Sequence, residues 1–382
     1  MELMAEFERI EHSDETVDMD AVKRLYDRLQ LATQKMIVAL NDIGDHRSGD
    51  LLKAHQQFNR ETYPLFEPVL SRPTHPILVT LEDIDPDMAA CVGQKANQLG
   101  LVGKKLGLPV PEGFVLTAQA FDLFMEANDL PGVIDAYLRD LDIDDPGLVN
   151  ERCEAVRRLI LEAPVPQAIE GAAQAHLAQW RQDRGEPVFT AVRSTAIGED
   201  GEMSFAGQFA TLLNVPAKNV LAAYKEVLAS KYSTGAVLYR MRCGLDDQSS
   251  PMAVMVMTMI PASASGVLYT RNPSRPDQSD LHVNAIHGLG EYLMGGDTAP
   301  HVLGICRRTG RIKTRHATQQ SHWITTIPEG GTRLEPMSPA DAAHTPVDDA
   351  SARRLADWGE SMVSYFCSPQ YVACAIDGNQ RL

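Results

Sequence analysis

Two stretches of the chain set a cation beside glycine or small polar residues, the arrangement that phosphate chemistry requires. In the first, Val92-Gly93-Gln94-Lys95-Ala96-Asn97-Gln98-Leu99-Gly100 precedes Leu108-Pro109-Val110-Pro111-Glu112-Gly113-Phe114-Val115-Leu116-Thr117. A glycine ahead of a lysine lets backbone come close to an anion while the ammonium reaches over it. The same triplet also serves as an ordinary surface turn. It is no Walker loop, because the spacing and the Ser or Thr after the lysine are absent. In the second stretch, Phe189-Thr190-Ala191-Val192-Arg193-Ser194-Thr195-Ala196 is followed by Glu199-Asp200 and Ser204-Phe205-Ala206-Gly207-Gln208. A strand ending on Arg193 would offer a guanidinium fork to phosphate oxygens, and the loop would add backbone N–H groups. The alternative is an arginine paired with Glu199 or Asp200 at a strand end.

Two further clusters carry weaker signals. Ala253 to Ile260 is an apolar run feeding a turn, with Ser265-Gly266-Val267-Leu268-Tyr269-Thr270 behind it. It reads as a core strand that could also present backbone groups to an adenine edge. Gly288-Leu289-Gly290-Glu291 allows a tight turn whose carboxylate could serve a ribose, a metal or nothing. It lacks the third glycine of a dinucleotide fingerprint.

The elements that must position these residues follow from periodicity. Val22, Leu25, Tyr26, Leu29, Ala32, Met36 and Leu40 recur at helical spacing, and a second short helix is expected from Leu51 to Asn59. Pro64, Pro68 and Pro73 then break the pattern, so residues 1–76 read as a helical N-terminal extension. Beyond it, strands are expected at Ile77–Leu81, Gly113–Leu116, Val188–Val192, Thr211–Val215, Ala253–Ile260 and Gly266–Thr270. Helices are expected at Ala118–Ala127 with Thr117 as N-cap, Gly147–Leu161, Pro166–Gln182, Ala217–Ala229 and Ser351–Phe366. The segment Pro328–Pro346 reads as a surface loop. This order of elements is α+β.

Composition narrows the function. The chain has 382 residues and a formal charge of −16, which disfavours binding to a nucleic-acid backbone without forbidding a local basic pocket. Its six cysteines form no C-x-x-C pair, so neither a zinc site nor a disulfide framework is suggested. With no signal-peptide pattern and no apolar run of membrane length, a cytoplasmic location is expected.

Taken in order, the motifs G-x-K-x-x-x-L-G, P-V-P-x-G-F-V-x-T, V-R-S-T-A, E-D, S-F-A-G-Q, V-x-T-M, S-G-V-x-x-T and G-L-G-E resemble the N-terminal domain of the phosphoenolpyruvate synthase and pyruvate phosphate dikinase family, shared by rifampicin phosphotransferases. The resemblance covers about Leu81 to Leu382. It implies an ATP-grasp fold of two lobes, here residues 77–251 and 252–382, closing on ATP and Mg2+. It also implies an ATP-dependent phosphotransferase. By this match Lys95 contacts the ATP phosphates and Arg193 braces the triphosphate. Gly207 lies over the β/γ phosphates with Gln208 beside it, Thr258 and Met259 meet adenine through the main chain, and Glu291 is a tentative metal ligand. The family passes the phosphoryl group to a histidine on a swivelling domain, which delivers it to pyruvate in a third domain.

The departures matter as much. Where the family has a stretch like P-x-D-x-E-W-A, whose two acids hold magnesium, this chain reads Pro369-Gln370-Tyr371-Val372-Ala373-Cys374-Ala375. Tyr371 and Ala373 replace the acids. The family's next strand, carrying a Gln and an Arg, would lie past Leu382, and no Gly-rich Thr-Ser-His segment occurs. His287 is read as structural. A dikinase module working with further domains is therefore the leading expectation. A nucleotide-binding regulatory module that has lost catalysis is the alternative, with an antibiotic phosphotransferase domain as a third reading.

Overall fold

A computed structural model describes residues 19–43, 49–62, 75–139, 141–142, 145–197, 208–243, 251–272, 280–342 and 344–378. In chain order the elements are α1 (Met19–Ile43), α2 (Gly49–Thr62), β1 (Leu78–Thr80), α3 (Ala89–Val92), α4 (Gln94–Leu106), β2 (Gly113–Leu116), α5 (Ala118–Ala127), α6 (Leu130–Leu138), α7 (Pro146–Glu162) and α8 (Gln167–Arg184). They continue with β3 (Phe189–Ala196), β4 (Thr211–Pro216), α9 (Val220–Ser230), α10 (Thr234–Cys243), β5 (Met252–Thr258), β6 (Ala262–Tyr269) and β7 (Leu281–His287). The last are α11 (Glu291–Met294), β8 (His301–Ile305), β9 (Ile312–His316), β10 (His322–Thr326), β11 (Thr332–Pro336), α12 (Pro339–Ala342), α13 (Asp349–Phe366) and β12 (Tyr371–Asp377). This is a mixed α+β architecture, as expected.

Two antiparallel sheets organise the molecule. The first has the order β1-β2-β5-β3-β4, the second β12-β6-β7-β8-β9, and β10 and β11 form a separate hairpin. Every residue of β5 up to Met257 is buried, because both faces of its sheet are covered. Phe114, Leu116, Val192, Val254 and Val256 point toward the packed helices, joining Phe124, Ile160, Trp180 and Tyr224. Val115, Ala253, Met255 and Met257 point the other way and meet Ile84, Cys91, Val92 and Ala96. The alternation is the period-2 rule of a strand applied to a run that is apolar throughout.

The second sheet packs one face against α13 through Leu268, Val283, Leu303, Leu355, Ala356 and Met362. Asp348 starts that helix by accepting the Ser351 amide at 2.7 Å, an N-cap bond to an otherwise orphan donor. Val102, Leu106 and Leu108 also lie against this core. Helix α4 thus touches the first sheet with Ala96 and the second with its later turns, standing between them.

Several expectations are revised. β5 sits between β2 and β3, so a division at residue 252 would cut the first sheet; the chain crosses to the second sheet only at Met259–Pro261. β3 runs three residues past Arg193, since Ser194, Thr195 and Ala196 pair with Val254, Ala253 and Met252. Arg193 is therefore within the strand rather than at its end. Thr117 occupies the expected N-cap position, but its hydroxyl donates to Pro76 O at 2.8 Å instead. The Pro328–Pro346 segment is not all loop, because Thr332–Pro336 pairs with β10. The N-terminal helices do form: Tyr26 Oη donates to Asn59 Oδ1 at 2.9 Å, and Gln34 Nε2 reaches Met241 O on α10 at 3.4 Å.

Candidate functional site

Helix α4 carries Lys95 in its first turn, and the start of that helix is fixed on β3. Thr195 Oγ1 donates to Val92 O at 2.9 Å and accepts the Ala96 amide at 3.2 Å. One hydroxyl thereby ties the end of α3 and the start of α4 to a strand. Gly93 makes the approach possible. Its φ is +79°, and a Cβ there would fall 2.0 Å from Thr195 O. The glycine before the lysine is thus required for helix-to-strand contact, a role its sequence context does not reveal.

Arg193 lies two residues from Thr195 on β3, and cross-strand partners share a sheet face. Its partner on β5 is Met255, whose side chain belongs to the core beneath α3 and α4. Arg193 and the N-terminal turn of α4 consequently occupy the same face of the first sheet. Both Lys95 and Arg193 are half-buried.

In the second sheet, β12 pairs along β6. Tyr371 pairs with Tyr269 and Ala373 with Val267. Val372, Cys374 and Ile376 turn into the α13 core, so Tyr371 and Ala373 share the opposite face. Tyr371 packs edge-on against Tyr269 with centroids 5.1 Å apart, and Tyr269 packs against His282 at 6.1 Å. Tyr371 Oη also contacts Met294 Sδ of α11 at 3.6 Å. Burial and the neighbouring Tyr269 hold the Tyr371 phenol above its ordinary range, while the positive charge of Arg193 pulls it down.

Thr258 and Met259 lie at the crossing between sheets and line a cleft of about 380 Å³, shared with Arg184, Phe189, Asn214 and Thr326. This volume is within the range of small-ligand sites. The two amides are already committed: Thr258 N donates to Glu112 O at 2.8 Å and Met259 N to Phe189 O at 3.0 Å. The far wall is the β10–β11 hairpin, held by Asn214. Its Nδ2 donates to Ile327 O at 2.7 Å and Gly331 O at 2.8 Å, and the Gly331 amide returns to Asn214 O at 2.8 Å. Asn214 has φ +54°, a left-handed conformation that asparagine tolerates better than most residues.

Gln208 is half-buried, and its Oε1 has no hydrogen-bond partner among the described residues. Gly207, Glu199 and Asp200 lie outside the described residues. In the Gly288–Glu291 turn, Gly288 has φ +80° and packs on Ile324 O, where a Cβ would fall at 2.6 Å. Ser265 Oγ donates to Gly288 O at 2.8 Å. Glu291 is exposed, and its Oε2 accepts from Thr332 Oγ1 at 3.0 Å. His287 is buried with Nε2 3.1 Å from His344 O, a structural contact.

An orphaned Gln208 oxygen and two cations on one sheet face suit an anionic ligand; the cleft at Thr258 and Met259 is lined by other residues. Among the described residues no group of three His, Cys, Asp or Glu side chains could hold a metal. Thr195 and Asn214 are positioning residues that motif reading passes over. An asparagine inside the β-type run Leu212–Pro216 is the one sequence signal for the second.

Residues 89–382 match the family model described as pyruvate phosphate dikinase, AMP/ATP-binding domain. The chain belongs to that family. A rifampicin phosphotransferase from Streptomyces sviceus is 33% identical over 311 residues, covering 80% of this chain and 35% of the relative. A probable phosphoenolpyruvate synthase from Staphylothermus marinus is 32% identical over 263 residues, covering 68% and 31%. The phosphoenolpyruvate synthase of Pyrococcus furiosus is 28% identical over 337 residues, covering 78% and 41%. The chain thus spans about a third of the length of the first two of these relatives. Among the described residues of this pyruvate phosphate dikinase-type domain, no helix is long and apolar enough to cross a membrane.

Proposed function

We propose that this chain is the ATP-binding phosphotransferase module of a phosphoenolpyruvate synthase or pyruvate phosphate dikinase-like enzyme, built as a two-lobed ATP-grasp. The first lobe is residues 77 to about 259, extended from the expected limit of 251 to keep β5 in its sheet, and the second runs on from there. Helices α1 (Met19–Ile43) and α2 (Gly49–Thr62) would belong to an extension ahead of the first lobe. Lys95 and Arg193 neutralise the phosphates, Gly207 and Gln208 cover them, and Thr258 and Met259 border the base. Because the amides of Thr258 and Met259 are committed, these two residues would meet adenine through acceptors and side chains. The phosphoryl group would pass to a histidine on a separate domain and then to pyruvate on another, in the same chain or in trans, in the cytoplasm. Phosphoryl transfer depends mainly on positioning and charge neutralisation, which fixed cations supply.

The observation that carries this reading is the shared sheet face of Arg193 and the Lys95 turn. Calorimetric titration with ATP tests it. Saturable binding that disappears in a Lys95→Ala/Arg193→Ala double variant supports the assignment. Equal affinity in wild type and double variant removes it.

One observation favours a second reading. Tyr371 and Ala373 offer no carboxylate for a hard cation, which fits a nucleotide-binding regulatory module that keeps its pocket and has lost catalysis. A rifampicin-type phosphotransferase domain is supported only by the named relatives. A phosphotransfer assay with a histidine-bearing domain of the family separates the first two: transfer at an ordinary family rate rules out the regulatory module.

A further inference from the structure

Resting on the nucleotide reading above, we propose that Asn214 determines which base the cleft beside Thr258 and Met259 takes. Its Oδ1 accepts a hydrogen bond from the exocyclic amine of an adenine ring.

The side-chain amide of Asn214 has one orientation open to it. Two backbone carbonyls, Ile327 O and Gly331 O, lie 2.7 and 2.8 Å from one of its two terminal atoms. A carbonyl oxygen only accepts, so that terminus must be the NH2 group and Oδ1 must stand on the other side. Both amide hydrogens are engaged by the hairpin, which keeps the group from turning over. Oδ1 itself accepts no hydrogen bond among the described residues. Asn214 is only 3% exposed, and it lines the cleft. An almost buried acceptor with a fixed direction and an open lone pair is a group that a ligand can satisfy.

The backbone is bent to present it. The pairs Thr190–Val215 and Val192–Leu212 enclose one residue on β3 and two on β4, Leu213 and Asn214. Such a bulge re-aims a side chain out of the alternation of its strand, and Asn214 stands in it with φ +54°. The cleft is also placed to hold the base of a nucleotide whose phosphates meet the cations. Phe189 lines it, and Arg193 lies four residues further along β3. Positions i and i+4 of a strand share a face and stand roughly 13 Å apart, comparable to the reach of a triphosphate from its base. Phe189, Met259, Ile327 and Pro328 offer apolar walls to a flat ring. In an adenine nucleotide N9 carries the sugar, so the exocyclic amine holds the only N–H donors of the base. An acceptor fixed on the wall therefore selects that amine. The amides of Thr258 and Met259 are bonded to Glu112 O and Phe189 O, which leaves recognition here to side chains and carbonyls.

Calorimetric titration of the 382-residue chain with ATP and with purine riboside triphosphate, which lacks only the amine, tests the proposal. ATP should bind about tenfold more tightly, since the analogue leaves a buried acceptor unpaired. Asn214→Gly keeps the left-handed backbone and removes the amide, and there the preference should fall below about twofold. Loss of the hairpin clamp would weaken both ligands alike, so the ratio separates the acceptor from the clamp. A tenfold preference that survives in the variant overturns the proposal, as does a wild-type chain that binds both ligands equally; either result leaves the nucleotide reading standing. Absence of binding by both ligands removes the nucleotide reading and the proposal with it. Should the variant not fold, the side-chain amide resonance of Asn214 in the wild-type chain decides. It should shift with ATP and stay in place with the analogue, and equal shifts overturn the proposal.

Discussion

The two sheets that flank α4 treat charge in opposite ways. The first fixes Arg193 in a strand and holds the turn bearing Lys95 against that strand through Thr195. The second offers Tyr371, Tyr269 and His282 in a row across three strands. Cation and aromatic row are carried by different elements with different cores. On the proposed reading, the cations that would neutralise phosphate and the β12 positions can therefore vary independently. Neither change disturbs the packing of the other sheet, because Tyr371 and Ala373 project away from the α13 core.

The sharpest way to break the contrast is at Gly93. A Gly93→Ala substitution forces a Cβ onto Thr195 O in a left-handed backbone and should lift α4 from β3. The expected loss is roughly 3 kcal/mol or more, read as a lowered denaturant midpoint together with lost ATP binding. A stability within error of wild type would show that the α4 start is not held as described.

Removing each cation in turn sharpens the account of the first sheet. Arg193→Ala should weaken ATP binding by about 1.5–3 kcal/mol, the range for a hydrogen bond to a charged group, with Lys95→Ala toward the lower end because an ammonium lacks the bidentate fork. Calorimetry gives both values. Equal, unchanged affinities would exclude this face as the phosphate contact.

The second sheet has its own signature. Burial holds His287 and His301 below the ordinary histidine range, each further affected by neighbouring charges. A depressed folded value means that the unfolded chain binds protons first. The stabilisation is then present above about pH 6.5 and fades as the pH falls below it. The groups facing this pair are Asp341, His344 and Arg315. Melting temperature should fall between about pH 7 and pH 5, and a His287→Gln/His301→Gln variant should flatten that dependence. An equally steep dependence in the variant would place the acid sensitivity elsewhere.

The smallest effect belongs to Tyr371→Phe. It keeps the ring on Tyr269 and deletes the hydroxyl with its exposed contacts to Met294 Sδ and Tyr269, so stability should change by less than about 0.5 kcal/mol. A larger loss in chemical denaturation would mean that the hydroxyl holds α11 in place.

The core strands were legible because their chemistry is local: Gly113–Leu116 and Ala253–Ile260 are apolar runs bounded by breakers. The central helix α4 was not expected, since Gly93, Gly100 and Gly103 interrupt its pattern and its apolar residues divide between two cores. β7 to β12 were largely passed over for a related reason. His282, Asn284, Arg315 and His322 break the apolar alternation, and only the paired strands stabilise them. Of the site, Lys95 and Arg193 stood out by residue type. Thr195 and Asn214 did not, because a hydroxyl or an amide becomes a clamp only when distant backbone is brought to it.

The Asn214 clamp has a consequence for how the cleft opens. Three hydrogen bonds from opposite ends of the hairpin turn converge on one residue. The turn cannot fray from its tip while any of them holds. Release of this wall is a single cooperative event, and the bonded amides of Ile327, Gly330 and Gly331 should exchange with solvent deuterium at one common rate. A small molecule leaving by that side would escape at the frequency of this one opening, whatever its own affinity for the walls.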